Sequence, residues 1–146
     1  MNAWRESASE EAQNDLDALA DATIAAARHF LDRSGDFIPF PMAVKADGEL
    51  ALIGLNQPES PEPPQAQDVL DGIIDLFRDR RDSIRALAIG TNVQIPSEVT
   101  DAIEVRLEHR DGISITVLVP YRLDPLDDSY EYDEPRAQDG DAAIWV

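Results

Sequence analysis

Residues 101–119 read DAIEVRLEHRDGISITVLV, so apolar and polar side chains alternate on both sides of a single Asp-Gly pair. This period of two predicts two antiparallel strands that each bury one face. A two-residue loop would place Glu108 opposite Ile115, whereas a three-residue loop over 110–112 opposes apolar side chains throughout. The opposed pairs are then Leu107 with Ile115, Val105 with Val117 and Ile103 with Val119. We therefore predict the longer loop, with Gly112 in the positive-φ position that such loops require.

A second hairpin is predicted upstream, where apolar runs flank another Asp-Gly pair, Asp47-Gly48. A three-residue loop over 46–48 places Lys45 opposite Glu49 and keeps apolar side chains together. The apolar pairs are then Val44 with Leu50 and Met42 with Leu52.

Residues 84–95 predict a further strand whose two faces differ in side-chain size. One face carries Leu87, Ile89, Thr91, Val93 and Ile95, and the other carries Ala86, Ala88, Gly90, Asn92 and Gln94. The small face indicates that another element approaches it closely, or that it borders a shallow groove. If the chain forms a homodimer, this small face and the edge strands are the candidate surfaces.

The first of two amphipathic helices is predicted after a loose arm over residues 1–9. Ser7 and Glu10 fit a capping box at its start, and Gly35 is its expected stop. The buried stripe is predicted to contain Leu16, Leu19, Ala20, Thr23, Ala27, Phe30 and Leu31, with Asp15, Asp21, Ala25, Arg28 and Asp32 on the opposite side.

The second helix follows an exposed, proline-rich connector over 56–65 and carries its apolar stripe from Ala66 to Phe77. Its last turn holds Arg78, Arg80 and Arg81, where cations complement the helix dipole.

These elements occur in the order α-β-β-α-β-β-β, which predicts an α+β fold with about five antiparallel strands and two main helices. We expect one domain over 1–123 and an acidic aromatic tail over 124–146, either flexible or docked back on the domain. The same element order occurs in the roadblock and profilin-like superfold, a topological resemblance that carries no motif. Such scaffolds serve mainly as dimerisation and binding modules, although a fold does not set a function.

Several local motifs also resemble those of a family of small bacterial α+β proteins. They are Phe37-x-Pro39-Phe40, the Asp47-Gly48 hairpin, Asp101-Ala102-Ile103, the run from Leu107 to Gly112, and Pro120-Tyr121. This resemblance covers roughly residues 28–122 and implies a shared fold, but it implies no activity.

The chain is strongly acidic, with 30 aspartates and glutamates against 12 lysines and arginines and a formal charge of −18. This charge argues against a nucleic-acid binder that uses a basic phosphate footprint. Lys45 is the only lysine, which fits a high-GC genome; a salt-adapted surface and a functional acidic face are the alternatives. The charge is concentrated in residues 124–146, where eight acids accompany one base, Arg136.

Several classes of site and location are excluded by residues that the sequence lacks. The chain has no cysteine, which excludes disulfides, thiolate zinc sites and a cysteine nucleophile. Its glycines form no phosphate-binding motif and its tail acids do not fit a calcium loop, so we predict no metal and no cofactor. No apolar run reaches roughly 18 residues and no signal-peptide pattern begins the chain, so we expect a soluble, cytoplasmic bacterial protein that does not bind membranes.

Partner contacts are predicted where residues stand out from the acidic background. Tyr130 and Tyr132 interrupt the acidic run, Trp145 lies at the end of the chain, and Arg78 and Arg81 belong to the only basic cluster. An acidic segment with aromatic residues is typical of a segment that orders on binding. In the alternative interpretations, Trp145 folds back onto the sheet and the arginines cap their helix or receive the chain's own tail.

These observations favour a non-enzymatic protein-interaction module that binds a protein partner. One alternative is an acidic inhibitor of the immunity-protein type, which predicts salt-sensitive binding to a basic partner. The other is a small enzyme centred on His109, the one weak catalytic candidate, and it predicts a concave pocket at that hairpin. Against this, His109 is also expected to pack at the sheet edge or to bond to the turn, and His29 is expected at the surface or at the boundary of the core.

Overall fold

The computed structural model describes residues 3–52, 65–95, 97–98 and 100–145, so the predicted connector lies outside the described residues except for Gln65. The helices are α1 (Ala3–Ser7), α2 (Glu10–Ser34) and α3 (Ala66–Arg80), followed by a 3₁₀ turn (Arg81–Ser83). The strands are β1 (Phe40–Lys45), β2 (Leu50–Leu52), β3 (Ile84–Ile95), β4 (Thr100–His109), β5 (Ile113–Leu123), β6 (Tyr130–Tyr132) and β7 (Arg136–Asp139). Within these ranges, no helix combines the length and the apolar character needed to cross a bilayer.

All strand pairs in the sheet are antiparallel, with the order β2-β1-β3-β4-β5-β6, and β7 pairs with β5 as well. The α+β class and the antiparallel sheet are therefore confirmed. The predicted count of five strands is wrong, because the tail adds β6 and β7. Strands this short show no clear alternation in the sequence, and they form by pairing with the otherwise open edge of β5.

Both predicted hairpin registers are confirmed. Val44 lies opposite Leu50, and Leu107 lies opposite Ile115. Gly48 and Gly112 each have a φ of +93°, a backbone conformation that side chains other than glycine rarely adopt. Apolar side chains therefore meet across each hairpin.

The sheet is covered on both faces. Helix α2 packs on the face that carries Ala86, Ala88, Ile103, Val105, Leu107, Ile115 and Val117. Helix α3 and the end of the chain pack on the other face, around Ala43, Ile84, Leu87 and Ile89. Each helix thus buries its apolar stripe against one side of the same sheet.

The small face of β3 is closely packed against a neighbouring strand and helix. A Cβ atom added at Gly90 would lie 2.6 Å from Cζ of Phe40 and 3.0 Å from Cγ2 of Thr23 on α2. The predicted close approach of another element is therefore confirmed. Because Ala86 and Ala88 are fully buried there, this face is not a dimerisation surface.

The N-terminal region is more ordered than the sequence predicts. Residues 3–7 form α1 instead of a loose arm, and the cap of α2 is Ser9, whose Oγ accepts a hydrogen bond from the N–H of Ala12. The predicted stop is confirmed at Gly35, whose φ is +74° and whose N–H bonds to the carbonyl of Leu31. Asp15, assigned to the exposed side, is buried.

The tail lies against the domain over the residues described. Strands β6 and β7 extend the sheet, and the side chain of Ile144 is fully buried in the cluster around Phe77 of α3. Ile144 follows two alanines and precedes Trp145 and Val146, so it belongs to a short apolar run with no periodic pattern that would mark it as a core residue.

Candidate functional site

His109 belongs to a buried polar cluster that joins three elements. Oδ2 of Asp15, on α2, lies 3.0 Å from Nε2 of His109, at the end of β4. The same carboxylate accepts two hydrogen bonds from Arg85 on β3, each 2.9 Å long. This bidentate hydrogen bonding raises the pKa of Arg85. The cluster therefore ties α2 to the middle of the sheet.

Both ring nitrogens of His109 have partners. Nδ1 accepts a hydrogen bond from the backbone N–H of Asp111 at 3.2 Å, so in the neutral ring Nε2 carries the proton and donates it to Asp15. The ring is buried. A general base needs a nitrogen within reach of a substrate, and both ring nitrogens of His109 are hydrogen-bonded within the chain in this structure.

The side chains of Glu11, Asp15 and His109 bring potential metal-ligand atoms within 4.8 Å of one another. The guanidinium of Arg85 already neutralises Asp15 and lies 3.7 Å from Glu11. A metal ion would have to displace this cation and compete for the ring nitrogen of His109 that is bonded to Asp15. The residues therefore suit an ion-pair cluster better than a metal site.

Tyr130 and Tyr132, predicted as partner contacts, face inward from β6. Their ring centroids lie 5.8 and 6.1 Å from the ring of Tyr121, and the guanidinium of Arg28 stacks over Tyr132 at 4.2 Å. Desolvation raises the pKa of Tyr132. Both tyrosines are half-buried and pack against the core under α2, so most of their surface is used within the chain.

The end of the chain is held by Glu108, which is itself buried. Its carboxylate accepts hydrogen bonds from three successive backbone N–H groups, those of Ala143, Ile144 and Trp145, at 3.0, 3.1 and 3.3 Å. Nε of Arg78 donates to the carbonyl of Ala143 at 3.0 Å. Successive amides around one carboxylate form an anion-binding nest. No pattern in the sequence predicts this role for Glu108, because it is one of several charged residues at alternating positions along β4.

Four of the five predicted contact residues therefore fall into two separate places. Tyr130 and Tyr132 lie together on β6, whereas Arg78 and Trp145 lie together beside α3. Arg81 is exposed in the 3₁₀ turn and forms no ion pair with an acid in the described part of the chain.

The loop between β5 and β6 exposes an apolar side chain, Leu126, that was not among the predicted contact residues. Leu126 is 95% exposed at the tip of this loop, and Leu123 at its start is 49% exposed. The loop is nevertheless ordered by its own polar groups. Asp124 accepts a hydrogen bond from the N–H of Leu126 at 2.9 Å, and Asp127 accepts one from the hydroxyl of Ser129 at 2.6 Å.

Backbone bonds complete this loop. The N–H of Asp124 donates to the carbonyl of Ser129, and the N–H of Asp128, which has a φ of +57°, donates to the carbonyl of Asp124. The hydrogen bonds from Ser129 lower the pKa of Asp127, which keeps this carboxylate charged. The only signal in the sequence is one leucine among turn-forming residues, which is ordinary for a surface loop.

Residues 122–134, which we call the acidic hairpin, surround the two leucines with negative charge. The acids are Asp124, Asp127, Asp128, Glu131, Asp133 and Glu134, and the one base is Arg122. Arg122 pairs with Glu131 at 3.1 Å and with Asp133 at 3.3 Å. The hairpin therefore combines exposed apolar side chains with an excess of carboxylates.

The chain matches no family model, and neither a curated protein nor a solved structure shows significant similarity to it.

Proposed function

We propose that this protein is a non-enzymatic protein-interaction module whose acidic hairpin inserts Leu126 into an apolar pocket rimmed by basic residues on a partner protein. The observation that supports this proposal is the exposure of Leu126 in an ordered loop. An exposed leucine is not informative by itself. Here the loop is already held in one conformation, so binding does not have to order it and more of the contact energy contributes to affinity.

The charge of the hairpin supports a basic partner. Arg122 offsets one of six carboxylates, which leaves a strongly negative surface around Leu123 and Leu126. Such a surface accelerates encounter with a positive partner and disfavours acidic competitors. Association should therefore slow as salt concentration rises, whereas the apolar contact of Leu126 should depend little on salt.

The expected contribution of Leu126 follows from its apolar area. Full burial of a leucine side chain is worth about 1.5–3 kcal/mol, which corresponds to roughly 10- to 100-fold in affinity. Replacement of Leu126 by serine removes this contribution. Because the side chain contacts little of its own protein, we expect this variant to fold as the wild type does.

The test is a quantitative pull-down from lysate of the source organism, with the full chain, Leu126→Ser and Leu50→Ser as baits. Leu50 is a matched control, since it is 41% exposed but lies on β2 at the other edge of the sheet. We expect a specific partner that Leu50→Ser retains and Leu126→Ser loses. Equal capture by both variants, or the absence of any specific partner, would contradict the proposal.

A second candidate function is inhibition of a basic protein through the outer face of α3. Five exposed aspartates follow one another along this helix and the 3₁₀ turn after it: Asp68, Asp71, Asp75, Asp79 and Asp82. Steps of three and four residues place them on one side, about one helical turn or 5.4 Å apart. None forms an ion pair with a basic residue in the described ranges, so this row is available to a row of cations on a partner.

The two candidates differ in which residues carry the salt dependence. If α3 binds the partner, replacement of Asp71, Asp75 and Asp79 by asparagine should reduce both affinity and its dependence on salt, while Leu126→Ser should have no effect. If the acidic hairpin binds the partner, Leu126→Ser should reduce affinity, and the three asparagine replacements on α3 should have no effect.

A further inference from the structure

A groove of about 220 Å³ runs beside α2, on the face of the sheet that this helix covers. Helix α2 forms one wall and β7 forms the other, and the floor consists of Leu107, Ile115 and Val117 on β4 and β5. Ala20 lines the α2 wall and Ala137 lines the β7 wall. Because both side chains are short, they leave space that larger residues would fill. We call this space the α2 groove.

The α2 groove is long and narrow. The residues of α2 that line it extend from Leu16 to Ile24, which corresponds to about 12 Å along the helix axis. A volume of about 220 Å³ over this length gives a mean cross-section of roughly 18 Å². Carbon atoms pack about 3.5–4.0 Å from one another, so this cross-section admits a chain one atom wide. An apolar cavity of about 150 Å³ is already large enough to bind benzene, so the groove has room for a small extended ligand.

The charges around the apolar floor are only partly compensated. Arg5 on α1 lines the groove, but its guanidinium already donates two hydrogen bonds to Asp17, at 3.0 and 2.6 Å. Asp21 lies one turn further along α2, is exposed, and forms no ion pair within the described ranges. Asp139 lies opposite Ile115 on the same face of the sheet, and it is also exposed without a described ionic partner. The uncompensated charge beside the groove is therefore negative.

We propose that the α2 groove binds a small primary amine with an unbranched apolar chain. The chain lies extended over Ile115 and Val117, and the ammonium group lies beside Asp21 at the exposed wall. A carboxylate head group would meet uncompensated aspartates, and Arg5 could bind it only by releasing Asp17. A neutral head group would bury the same chain but would form no ion pair. The groove therefore discriminates between head groups by charge and accepts the chain by its width.

This site is separate from the one under the proposed function. Neither Leu123 nor Leu126 of the acidic hairpin lines the α2 groove. Leu126→Ser should therefore leave amine binding unchanged, and loss of amine binding should leave partner capture unchanged. Failure of one proposal does not imply failure of the other.

The test is a heteronuclear NMR titration of the full chain with hexylamine, 1-hexanol and hexanoate, which share one chain length and differ in the charge of the head group. We expect hexylamine to shift the amide signals of Ala20 and Ala137 saturably, with a Kd of about 1 mM, because its methylene groups become buried. 1-Hexanol should bind about two- to fivefold more weakly, which is the contribution of one exposed ion pair. Hexanoate should bind at least about tenfold more weakly than hexylamine, because like charges repel. This comparison uses only the wild-type protein, so it does not depend on the folding of a variant.

Variants then locate the site. Asp21→Asn should lower the affinity for hexylamine to that for 1-hexanol and should leave the affinity for 1-hexanol unchanged. Asp32→Asn is the matched control, because Asp32 is also an exposed aspartate on α2 but lies outside the groove. Ala137→Leu should fill the groove and weaken the binding of hexylamine and 1-hexanol at least about tenfold. Because Ala137 is exposed on β7, we expect this variant to fold.

Lack of saturable shifts at Ala20 and Ala137 up to about 20 mM hexylamine would overturn the proposal. Equal affinity for hexylamine and hexanoate, or an unchanged affinity in Ala137→Leu, would overturn it too. Shifts of similar size along the exposed aspartates of α3 would show nonspecific attraction to an acidic surface, which also contradicts a specific site in the groove.

Discussion

Replacement of Asp15 by alanine should be among the most destabilising single changes in α2. The carboxylate accepts two hydrogen bonds from Arg85 and one from His109, at 2.9, 2.9 and 3.0 Å. Hydrogen bonds to charged groups contribute about 1.5–3 kcal/mol each, but their contributions are not additive. The side chain of Arg85 also remains 17% exposed and keeps Glu11 at 3.7 Å. We therefore expect a loss of about 3 kcal/mol, at the lower end for breaking a buried ion pair.

Urea and thermal unfolding of the purified full chain measure this loss. For a chain of this size, about 3 kcal/mol corresponds to a fall in Tm of roughly 10 °C. The urea midpoint should fall while the slope of the transition stays unchanged, because the variant loses stability without a change in the surface exposed on unfolding.

Asp17→Ala is the control, since Asp17 lies two residues further along α2 and is also bonded twice to an arginine. Its hydrogen bonds to Arg5 are 3.0 and 2.6 Å long, but its side chain is 48% exposed. Exposed pairs contribute roughly 0–1 kcal/mol. Equal destabilisation by Asp15→Ala and Asp17→Ala would refute the conclusion that burial gives the Asp15 cluster its role.

Two glycine replacements should have opposite effects in the same unfolding assay. Gly90→Ala should lower the free energy of unfolding by about 1–3 kcal/mol, because the added Cβ would lie 2.6 Å from the ring of Phe40. Gly72→Ala, on α3, should raise it by about 1 kcal/mol, because open space surrounds this position and alanine favours a helix more than glycine does. Destabilisation by both replacements would contradict this packing. Burial raises the pKa of Tyr121 from 10.0 to about 12, so the folded state disfavours the phenolate form. The contribution of the neutral Tyr121 to stability is therefore complete below pH 10 and should be lost as pH rises from 10 towards 12. Tyr121→Phe should therefore flatten the decline in unfolding free energy over this pH range, and an unchanged slope would show that other groups cause it.

Much of the candidate chemistry depends on residues that no local pattern distinguishes. Asp15 lies three residues after Ala12 and four before Leu19, at the helical spacing of the buried stripe, but an aspartate at such a position is usually assigned to solvent. Its burial becomes favourable only because β3 and β4 place Arg85 and His109 beside it.

The sequence by itself determined the two hairpins, the strand over 84–95 and, apart from Asp15, the buried stripe of α2. In each case the information is local, since alternation, helical spacing and Asp-Gly turns act between residues that are close along the chain. Only the tertiary structure decided that the tail docks through Glu108 and Ile144, that the aromatic residues of the tail turn inward, and that Leu126 stays outside. These outcomes depend on contacts between segments distant in sequence, where burial is set by which surfaces meet and not by the residue type alone.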